Sequence, residues 1–254
     1  MSLIPKSHPR AKSLFIREKL VTGFDNGLVA KEGLLAQGRG EAFDYLLGEK
    51  TNKTAKLAIK AAAAQILLAN LPIISVNGNI AALCPKEIIR LANTSRAKIE
   101  VNLFYTNKKR KQNIIKALRK NGAREILGIN HNSSAILSGL DSARRIVDKK
   151  GIFVADVVIV PLEDGDRTMA LRKSGKIVIT FDLNPLSRTS QTANITIVDN
   201  VTRAIDLLTI TCKKLSKKNK KTLKKIVKDF DNKKNLSNNI IEIRDNLTRR
   251  LQIA

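Results

Sequence analysis

The chain has 254 residues, 43% of them hydrophobic, which is enough to bury the core of one large domain or two small ones. Its two cysteines, Cys84 and Cys212, have no partner spacing, which argues against a disulfide framework or a zinc site and favours a reducing compartment. The net charge of +25 suits a polyanion but does not distinguish nucleic acid from nucleotides or phosphorylated metabolites.

The start of the chain favours a cytoplasmic protein. Residues 1–12, MSLIPKSHPRAK, turn polar at once, unlike a secretory signal peptide. The longest apolar tract, residues 61–76, is interrupted by Gln65, Asn70 and Pro72 and is too short to span a bilayer. We therefore predict a cytoplasmic protein without a membrane span.

Residues 1–70 predict a helical N-terminal part. Arg17 lies in an amphipathic segment, Arg39 lies between two glycines, and residues 52–70 are rich in alanine, which favours a helix. Glycines beside Arg39 would let a ligand approach the backbone closely. Both arginines are therefore candidates for phosphate binding, with a surface ion pair as the alternative.

From residue 71 the chain alternates between strand-like and helical runs. The predicted strands cover residues 72–76, 98–105, 125–129, 155–162, 176–183 and 194–200, and the predicted helices cover 80–92, 108–123, 139–150, 163–175 and 201–215. Strands that alternate with helices form βαβ units. We therefore predict an α/β fold with a mostly parallel sheet that is covered by helices on both faces.

The C-terminal residues 216–254 predict a basic helical extension to the single domain formed by residues 1–215. Residues 213–254 contain fourteen Lys and Arg against four Asp and Glu. Leu223, Ile226 and Phe230 recur at helical spacing among the lysines, which favours two surface helices packed on the body or on another chain. A nucleic-acid-binding arm is the alternative.

Four polar segments follow predicted strands, at residues 77–79, 162–168, 182–189 and 199–200. In a parallel sheet, ligands bind beyond the carboxyl ends of the strands, so these segments should share one edge. The sequence has neither a GxGxxG fingerprint nor a P-loop. We therefore predict a ligand site assembled from several strand ends.

The polar segments at residues 182–189 and 199–200 have residues suited to a nucleotide. An acid such as Asp182 or Asp199 can accept hydrogen bonds from ribose, an amide can meet a base or sugar, and an arginine with hydroxyl groups suits phosphate oxygens. Helix capping is the alternative for both acids. The candidate residues are Asp182, Leu183, Asn184, Ser187, Arg188, Thr189, Asp199 and Asn200.

Two of the four segments, together with one residue outside them, suggest a metal site and a substrate contact. Asp164 and Asp166 are candidate Mg²⁺ ligands, because Mg²⁺ bridges carboxylates and nucleotide phosphates, and a solvated turn with a helix cap is the alternative. Asn77 begins a turn whose helix could face an anion, and His131 follows a strand-like run. No Ser–His–Asp or Cys–His arrangement can be assembled.

Together these segments resemble the archaeal 4-phosphopantoate–β-alanine ligases, also called phosphopantothenate synthetases. The matching words are IPKSHPRAKSLFIRE, GRGEAFDYLLGE, ISVNGNIAAL, IEVNLF, VADVVIVPLEDGDRT, DLNPLSRTSQTA and TIVDN, in order from residue 4 to about 215. Two positions depart from the family pattern: Gln37 stands where His is expected and Met169 where Glu is expected.

The resemblance implies a cytoplasmic homodimer with a Rossmann-like core. It also implies that ATP, 4-phosphopantoate and β-alanine give 4′-phosphopantothenate, AMP and pyrophosphate through an acyl-adenylate in coenzyme A synthesis. ATP would contact Arg17, Arg39, the Asp182–Asn184 segment, Ser187, Arg188, Thr189, Asp199 and Asn200. Mg²⁺ would lie at Asp164 and Asp166, and we predict Arg39, Asn77 and His131 as catalytic residues.

Adenylate chemistry needs no nucleophilic side chain, which agrees with the absence of a triad. Arg10, Arg144 and Arg145 are the candidates for the phosphate group of phosphopantoate. Three other functions stay open on the sequence: a nucleic-acid-binding α/β protein that uses the basic tail, another ATP-dependent acid–amine ligase, and a nucleotide sensor without turnover.

Overall fold

The structure is a computed structural model that describes residues 4–5 and 7–252. Three helices precede the sheet: α1 (Ala11–Asp25), α2 (Lys31–Leu47) and α3 (Lys53–Leu68). Asn52 caps helix α3 by accepting a hydrogen bond from the Ala55 N–H, and the alanines of the helix are buried. Helices therefore cover most of the chain from residue 11 to residue 68.

In the part of the chain that the structure describes, seven strands and eight further α-helices follow. The strands are β1 (Pro72–Val76), β2 (Lys98–Val101), β3 (Ser134–Ile136), β4 (Ile146–Asp148), β5 (Val157–Ile159), β6 (Ile177–Phe181) and β7 (Ile195–Ile197). The helices are α4 (Gly78–Leu83), α5 (Pro85–Ser95), α6 (Lys108–Lys120), α7 (Gly165–Lys173), α8 (Arg188–Thr192), α9 (Val201–Leu215), α10 (Lys220–Lys228) and α11 (Asn232–Leu251).

Five strands form one parallel sheet in the order β2-β1-β5-β6-β7. Counted along the chain within this sheet, the order is 2-1-3-4-5, a doubly wound arrangement. The chain leaves β1 toward one side and returns to β5 on the other, so the order reverses between these two strands. A crevice opens at such a reversal, beyond the carboxyl ends of the strands.

Side chains at alternate positions of the strands pack into two apolar cores. Ile74, Ile159 and Ile179 point into the larger core, which includes residues of α3, α5, α6 and α9. Val158 and Val178 point the opposite way, into a smaller core with α7 and the hairpin β3–β4. The predicted α/β fold, a parallel sheet flanked by helices, is thereby confirmed.

The structure corrects the helix predicted for residues 139–150. A single 3-10 turn, Ala143–Arg145, is followed by β4, which pairs antiparallel with β3. The Asp148 N–H donates to the buried Glu100 carboxylate at 3.0 Å instead of to a carbonyl one turn earlier. A long-range side-chain acceptor therefore overrides the local helical pattern of this segment.

The outer strands of the sheet are short and have neighbours. Next to β2, the predicted strand 125–129 is reduced to one parallel bridge between Glu100 and Leu127. At the other edge, the Thr196 N–H of β7 donates to the Asn232 Oδ1 atom at 2.8 Å. Both edges are therefore partly paired by segments outside the sheet.

The C-terminal helices α10 and α11 pack on the body of the molecule. Leu223 of α10 belongs to the larger core, and Leu236 of α11 is buried with Leu47, Leu183 and Val198. The lysines of α10 are exposed. Among the residues that the structure describes, no helix combines the length and the apolar run needed to cross a bilayer.

Candidate active site

A cavity of about 580 Å³ lies beyond the carboxyl ends of β1, β5 and β6, at the reversal of strand order. Helix α2 and the segment that joins β2 to α6 complete its walls. Of the residues named in the sequence analysis, those that line the cavity are Gln37, Arg39, Asn77, Asp164, Asp182, Leu183, Asn184, Ser187, Arg188, Thr189 and Arg144.

Asn77 joins the two strands at the reversal. Its Oδ1 atom accepts the Ile80 N–H at 3.1 Å and thereby caps α4. Its Nδ2 group donates to the carbonyl oxygens of Pro161 and Leu162 at 2.9 and 3.1 Å, at the end of β5. Both ends of the buried amide are used by the protein, so Asn77 fixes the width of the crevice.

A close backbone approach explains the glycine after Asn77. A Cβ atom at Gly78 would lie 2.2 Å from the carbonyl oxygen of Leu28, in the loop before α2. Real Cβ atoms do not approach an oxygen so closely, so only glycine fits here. The small residue lets the N-terminal helices pack directly against the mouth of the crevice.

The loop after β6 is ordered by its own polar side chains. The Asp182 carboxylate accepts the Asn184 N–H at 2.9 Å and the Ser187 hydroxyl. Ser187 in turn caps α8 by accepting the Ser190 N–H at 2.9 Å. Burial raises the pKa of Asp182, and these hydrogen bonds and the Arg39 cation partly offset that effect.

The β5–α7 turn and the start of α8 pack against each other. A Cβ atom at Gly165 would lie 2.5 Å from the Cβ atom of Arg188, so glycine is required there. The Thr189 hydroxyl donates to the Glu163 carbonyl oxygen at 2.8 Å. The Arg188 guanidinium pairs with Asp166 at 2.5 Å, and both side chains are largely exposed. Arg188 is therefore held at the cavity by contacts on its backbone side.

The floor of the cavity holds a buried ion cluster around Glu163. Its carboxylate, 1% exposed, contacts the guanidinium groups of both Arg144 and Arg167. Arg144 also donates to the Asp164 Oδ2 atom at 3.2 Å, and Arg167 donates to the Ser75 hydroxyl at 3.1 Å. Burial lowers the pKa of Arg144 and Arg167, and their mutual repulsion lowers that of Arg144 further.

Arg110 lines the cavity but was not singled out from the sequence. Arg110, in the first turn of α6, lies within the basic run KKRK and is indistinguishable there from solvated lysines. Arg10, Arg144 and Arg145 were candidates of equal standing in the sequence. In the structure Arg144 lines the cavity, whereas Arg10 contacts Tyr45 and Arg145 is exposed. Gln37 lines the cavity with a buried Oε1 atom that has no partner in the described structure.

Other predicted residues lie away from the cavity walls. Arg17 donates to the Glu41 carboxylate at 3.0 Å and to the Tyr45 hydroxyl at 3.1 Å, between α1 and α2. Asp199 accepts from Arg203 and from the Thr51 hydroxyl, both at 2.6 Å. The role of Arg17 and Asp199 in ligand binding stays a prediction.

Asn200 and His131 are the remaining site residues predicted from the sequence. Asn200 caps α9 and donates to Asp44 at 3.3 Å, in the same buried network as Arg203. His131 begins a 3-10 turn, Ser133 ends it, and the side chain of His131 lies outside what the structure describes. Both assignments stay predictions.

The carboxylates near the cavity limit how a metal could bind. Within the described part of the chain, no group of three or more His, Cys, Asp or Glu side chains could hold a metal ion. Asp166 is paired with Arg188. Asp164, about one third exposed, caps α7 through its Oδ1 atom, and its Oδ2 atom accepts from Arg144. This donor set fits an ion that takes one protein carboxylate and completes its shell with phosphate and water, as Mg²⁺ does.

Comparison with known proteins identifies the family of the chain. It is 53% identical to a 4-phosphopantoate–β-alanine ligase of Thermococcus kodakarensis over 247 residues, which cover 97% of this chain and 94% of the relative. The proteins of the same name from Thermococcus onnurineus and Methanosarcina mazei are 51% and 50% identical, over 98% and 97% of this chain and 95% and 96% of their own lengths.

The family model for phosphopantothenate/pantothenate synthetase matches residues 54–246, from the start of α3 into α11. The match therefore includes the sheet, helix α10 and most of helix α11. With the three archaeal relatives aligned over almost their whole lengths, it establishes that the chain belongs to the phosphopantothenate/pantothenate synthetase family.

Proposed function

We propose that the chain joins 4-phosphopantoate to β-alanine at the expense of ATP, the reaction for which its relatives are named. One observation carries the proposal for this chain: four arginines reach a single cavity that also contains the polar loop after β6. Two of the three substrates are polyanions, so a cavity with several guanidinium groups suits them. These arginines are Arg39, Arg110, Arg144 and Arg188.

We infer that the nucleotide binds along the β6–α8 loop. The Asp182–Asn184 turn offers carboxylate and amide groups to ribose and base, and Arg188 and Thr189 offer donors to phosphate oxygens. Arg39 faces the same loop closely enough for its charge to act on Asp182. Arg39 would then stabilise the negative charge that develops on the α-phosphate.

Two balanced steps give the products. A carboxylate oxygen of 4-phosphopantoate attacks the α-phosphorus of ATP, the bond to the bridging oxygen breaks, and pyrophosphate leaves. The amine of β-alanine then attacks the acyl carbon, the acyl–oxygen bond breaks, and AMP leaves while the nitrogen loses a proton. Positioning of two bound reactants in one cavity supplies most of the rate enhancement that such a route needs.

We also propose that Mg²⁺ binds with the nucleotide, at Asp164. The ion would neutralise phosphate charge and so assist departure of pyrophosphate. Asp164 lines the cavity, whereas Asp166 is turned to Arg188, so the carboxylate of Asp164 fits this role better. Excess chelator should abolish turnover and added Mg²⁺ should restore it, and full turnover in chelator would refute the metal requirement.

We infer a cytoplasmic homodimer. Cys84 and Cys212 are both free and buried, as is usual for proteins of reducing compartments. Large apolar side chains stand exposed at Leu35, Ile136 and Ile210, and such groups can be covered by a second copy. Sedimentation equilibrium should give twice the chain mass, and a monomer at micromolar concentration would contradict the dimer.

Oxygen labelling tests the reaction and its route together. The enzyme is incubated with ATP, β-alanine and 4-phosphopantoate that carries ¹⁸O in its carboxylate. An acyl-adenylate transfers one labelled oxygen to AMP, which mass spectrometry detects. Label in inorganic phosphate together with ADP would show acyl-phosphate chemistry instead, and absence of phosphopantothenate would refute the proposed function.

A further inference from the structure

A second cavity, of about 320 Å³, lies where α3 meets the junction between α10 and α11. It has no lining residue in common with the cavity beyond the carboxyl ends of the strands. A volume of this size is enough for a small metabolite. The second cavity is therefore a separate place where a ligand could bind.

One wall of the second cavity contains a buried amide with an unused donor. Asn235, in the first turn of α11, lines the cavity and is only 4% exposed. Its Nδ2 group has no hydrogen-bond partner among the described residues. Burial of a donor without an acceptor is unfavourable, so an acceptor from outside the chain is expected here.

The amides on either side of Asn235 along α11 are satisfied by the protein. Asn232 donates to the carbonyl oxygens of Ser190 and Ala193 at 3.3 and 3.2 Å. Asn239, one turn after Asn235, donates to its carbonyl oxygen at 2.8 Å and accepts from the Thr54 hydroxyl at 2.7 Å. Asn235 is thus the exception on a helix whose other buried amides join it to the body.

The charged groups around the second cavity balance each other. Lys60 and Lys234 line it together with Asp229 and Asp231, whereas the whole chain carries a net charge of +25. Asp231 uses one oxygen to cap α11, by accepting the Lys234 N–H at 3.1 Å. Lys60, Lys234 and Asp229 form no ion pair with any residue that the structure describes. Charges of both signs are therefore available to a ligand that carries both.

An apolar surface completes the second cavity. Ile226 and Phe230 line it and are partly buried against the larger core. Leu57 of α3 also lines it and stays 48% exposed. An apolar group that covered these side chains would be removed from water together with them, which favours binding.

We propose that the second cavity binds the zwitterion of an apolar α-amino acid. Its carboxylate accepts from the Asn235 amide, its ammonium group donates to Asp229, and its side chain covers Leu57. A ligand of this class uses the unpaired donor, both signs of charge and the apolar surface at once. The proposal goes beyond the function proposed above and does not depend on it.

Isothermal titration calorimetry with L-leucine tests the proposal. 4-Methylpentanoate and 3-methylbutylamine, which each lack one charged group of the probe, should bind at least about tenfold more weakly than L-leucine. Asn235→Leu should weaken the binding of L-leucine about tenfold to a hundredfold, the usual loss for a hydrogen bond to a charged group. The same variant should not lower the melting temperature, because it removes a buried donor that has no partner in the protein.

Lys234→Met and Lys233→Met form a matched pair. The two lysines are adjacent on α11 and both exposed, but only Lys234 lines the cavity, so only Lys234→Met should weaken binding. Four outcomes would overturn the proposal: no binding of L-leucine up to about 10 mM, equal binding of the three probes, unchanged binding by Asn235→Leu, or a lowered melting temperature of that variant. Displacement of L-leucine by ATP would place it in the first cavity and would overturn the proposal as well.

Discussion

Glu100 is a carboxyl group with no solvent exposure, on the edge strand β2. Its two oxygens accept the N–H groups of Asp148 and Ile152 at 3.0 and 2.7 Å. Burial raises the pKa of Glu100 to about 7 despite these hydrogen bonds. Between the ordinary pKa of 4.5 and this value, the folded protein keeps a proton that the unfolded chain has lost.

Stability should therefore fall as the pH rises through this window. For a shift of this size the free energy of unfolding loses at most about 3 kcal/mol between pH 4.5 and pH 7. Glu100→Gln removes this titrating group. The free energy of unfolding of the variant minus that of the wild type should therefore rise by the same amount between pH 4.5 and pH 7. Urea unfolding of both proteins at pH 5 and pH 8 measures the change, and a constant difference between them would contradict it.

Arg39 is exposed, and it forms no ion pair within the described residues. Arg39→Ala should therefore leave the melting temperature unchanged. Because a preorganised cation is lost beside the reacting phosphate, kcat/KM should fall about a hundredfold. The exposed Arg119→Ala variant should retain full activity. Wild-type kinetics in Arg39→Ala would remove Arg39 from the site.

The polar residues after the strands show what the sequence can and cannot tell. It predicted that several strand ends would meet, and three of the four segments do line one cavity. Their side chains also cap helices, as Asn77, Asp164 and Ser187 show, so capping and ligand binding use the same positions. Asn200 caps a helix away from the cavity. Sequence alone could not separate these cases, because a cap has the same local pattern in both.

Helix α11 is attached to the body by a buried amide. Asn239 is fully buried, and its Oδ1 atom accepts from Asn52 at 3.2 Å and from Thr54 at 2.7 Å, at the start of α3. Asn239→Leu would leave both donors with fewer partners, and should lower the free energy of unfolding by about 1–3 kcal/mol.

Asn238→Leu provides the matched control for α11. Asn238 is the preceding residue of the same helix and is exposed, so the same chemical change there should alter the free energy of unfolding by less than about 0.5 kcal/mol. Chemical denaturation measures both variants. Equal effects would show that the contact between α11 and α3 contributes little to stability.

The elements most easily predicted were those with strong local patterns. Helix α9 covers the predicted residues 201–215, and β1 covers residues 72–76. The helix predicted around β4 was wrong because the N–H groups of Asp148 and Ile152 donate to Glu100, some fifty residues earlier in the chain. A partner so distant in sequence leaves no trace in a local periodicity. Arg110 was missed for a related reason, since only the fold shows which cation of a basic run turns inward.

The excess of positive charge of the molecule lies partly on α10 and partly at the cavity. Leu223 anchors α10 in the core, so deletion of residues 216–254 would damage the body as well as remove charge. Substitution of the exposed lysines is the cleaner test of the basic extension. The quadruple change to Gln at Lys220, Lys221, Lys224 and Lys225 removes charge from one face only.

We expect this quadruple variant to keep the turnover of the wild type, because its lysines lie outside the cavity. Each substitution should change the free energy of unfolding by less than about 0.5 kcal/mol. Steady-state kinetics and an RNA mobility-shift titration at several salt concentrations measure the result. Tight RNA binding by the wild type that disappears in the variant would favour the nucleic-acid function instead.

The groups that pair with the two edge strands of the sheet also affect how folded copies of the protein associate. A fibril grows by adding strands to a row of unpaired amide and carbonyl groups. Here Leu127 takes a place beside β2 and Asn232 takes the Thr196 amide of β7, so the template is interrupted at each side. Folded copies should therefore associate through side chains, and concentrated solutions should stay free of cross-β aggregates for as long as the fold persists.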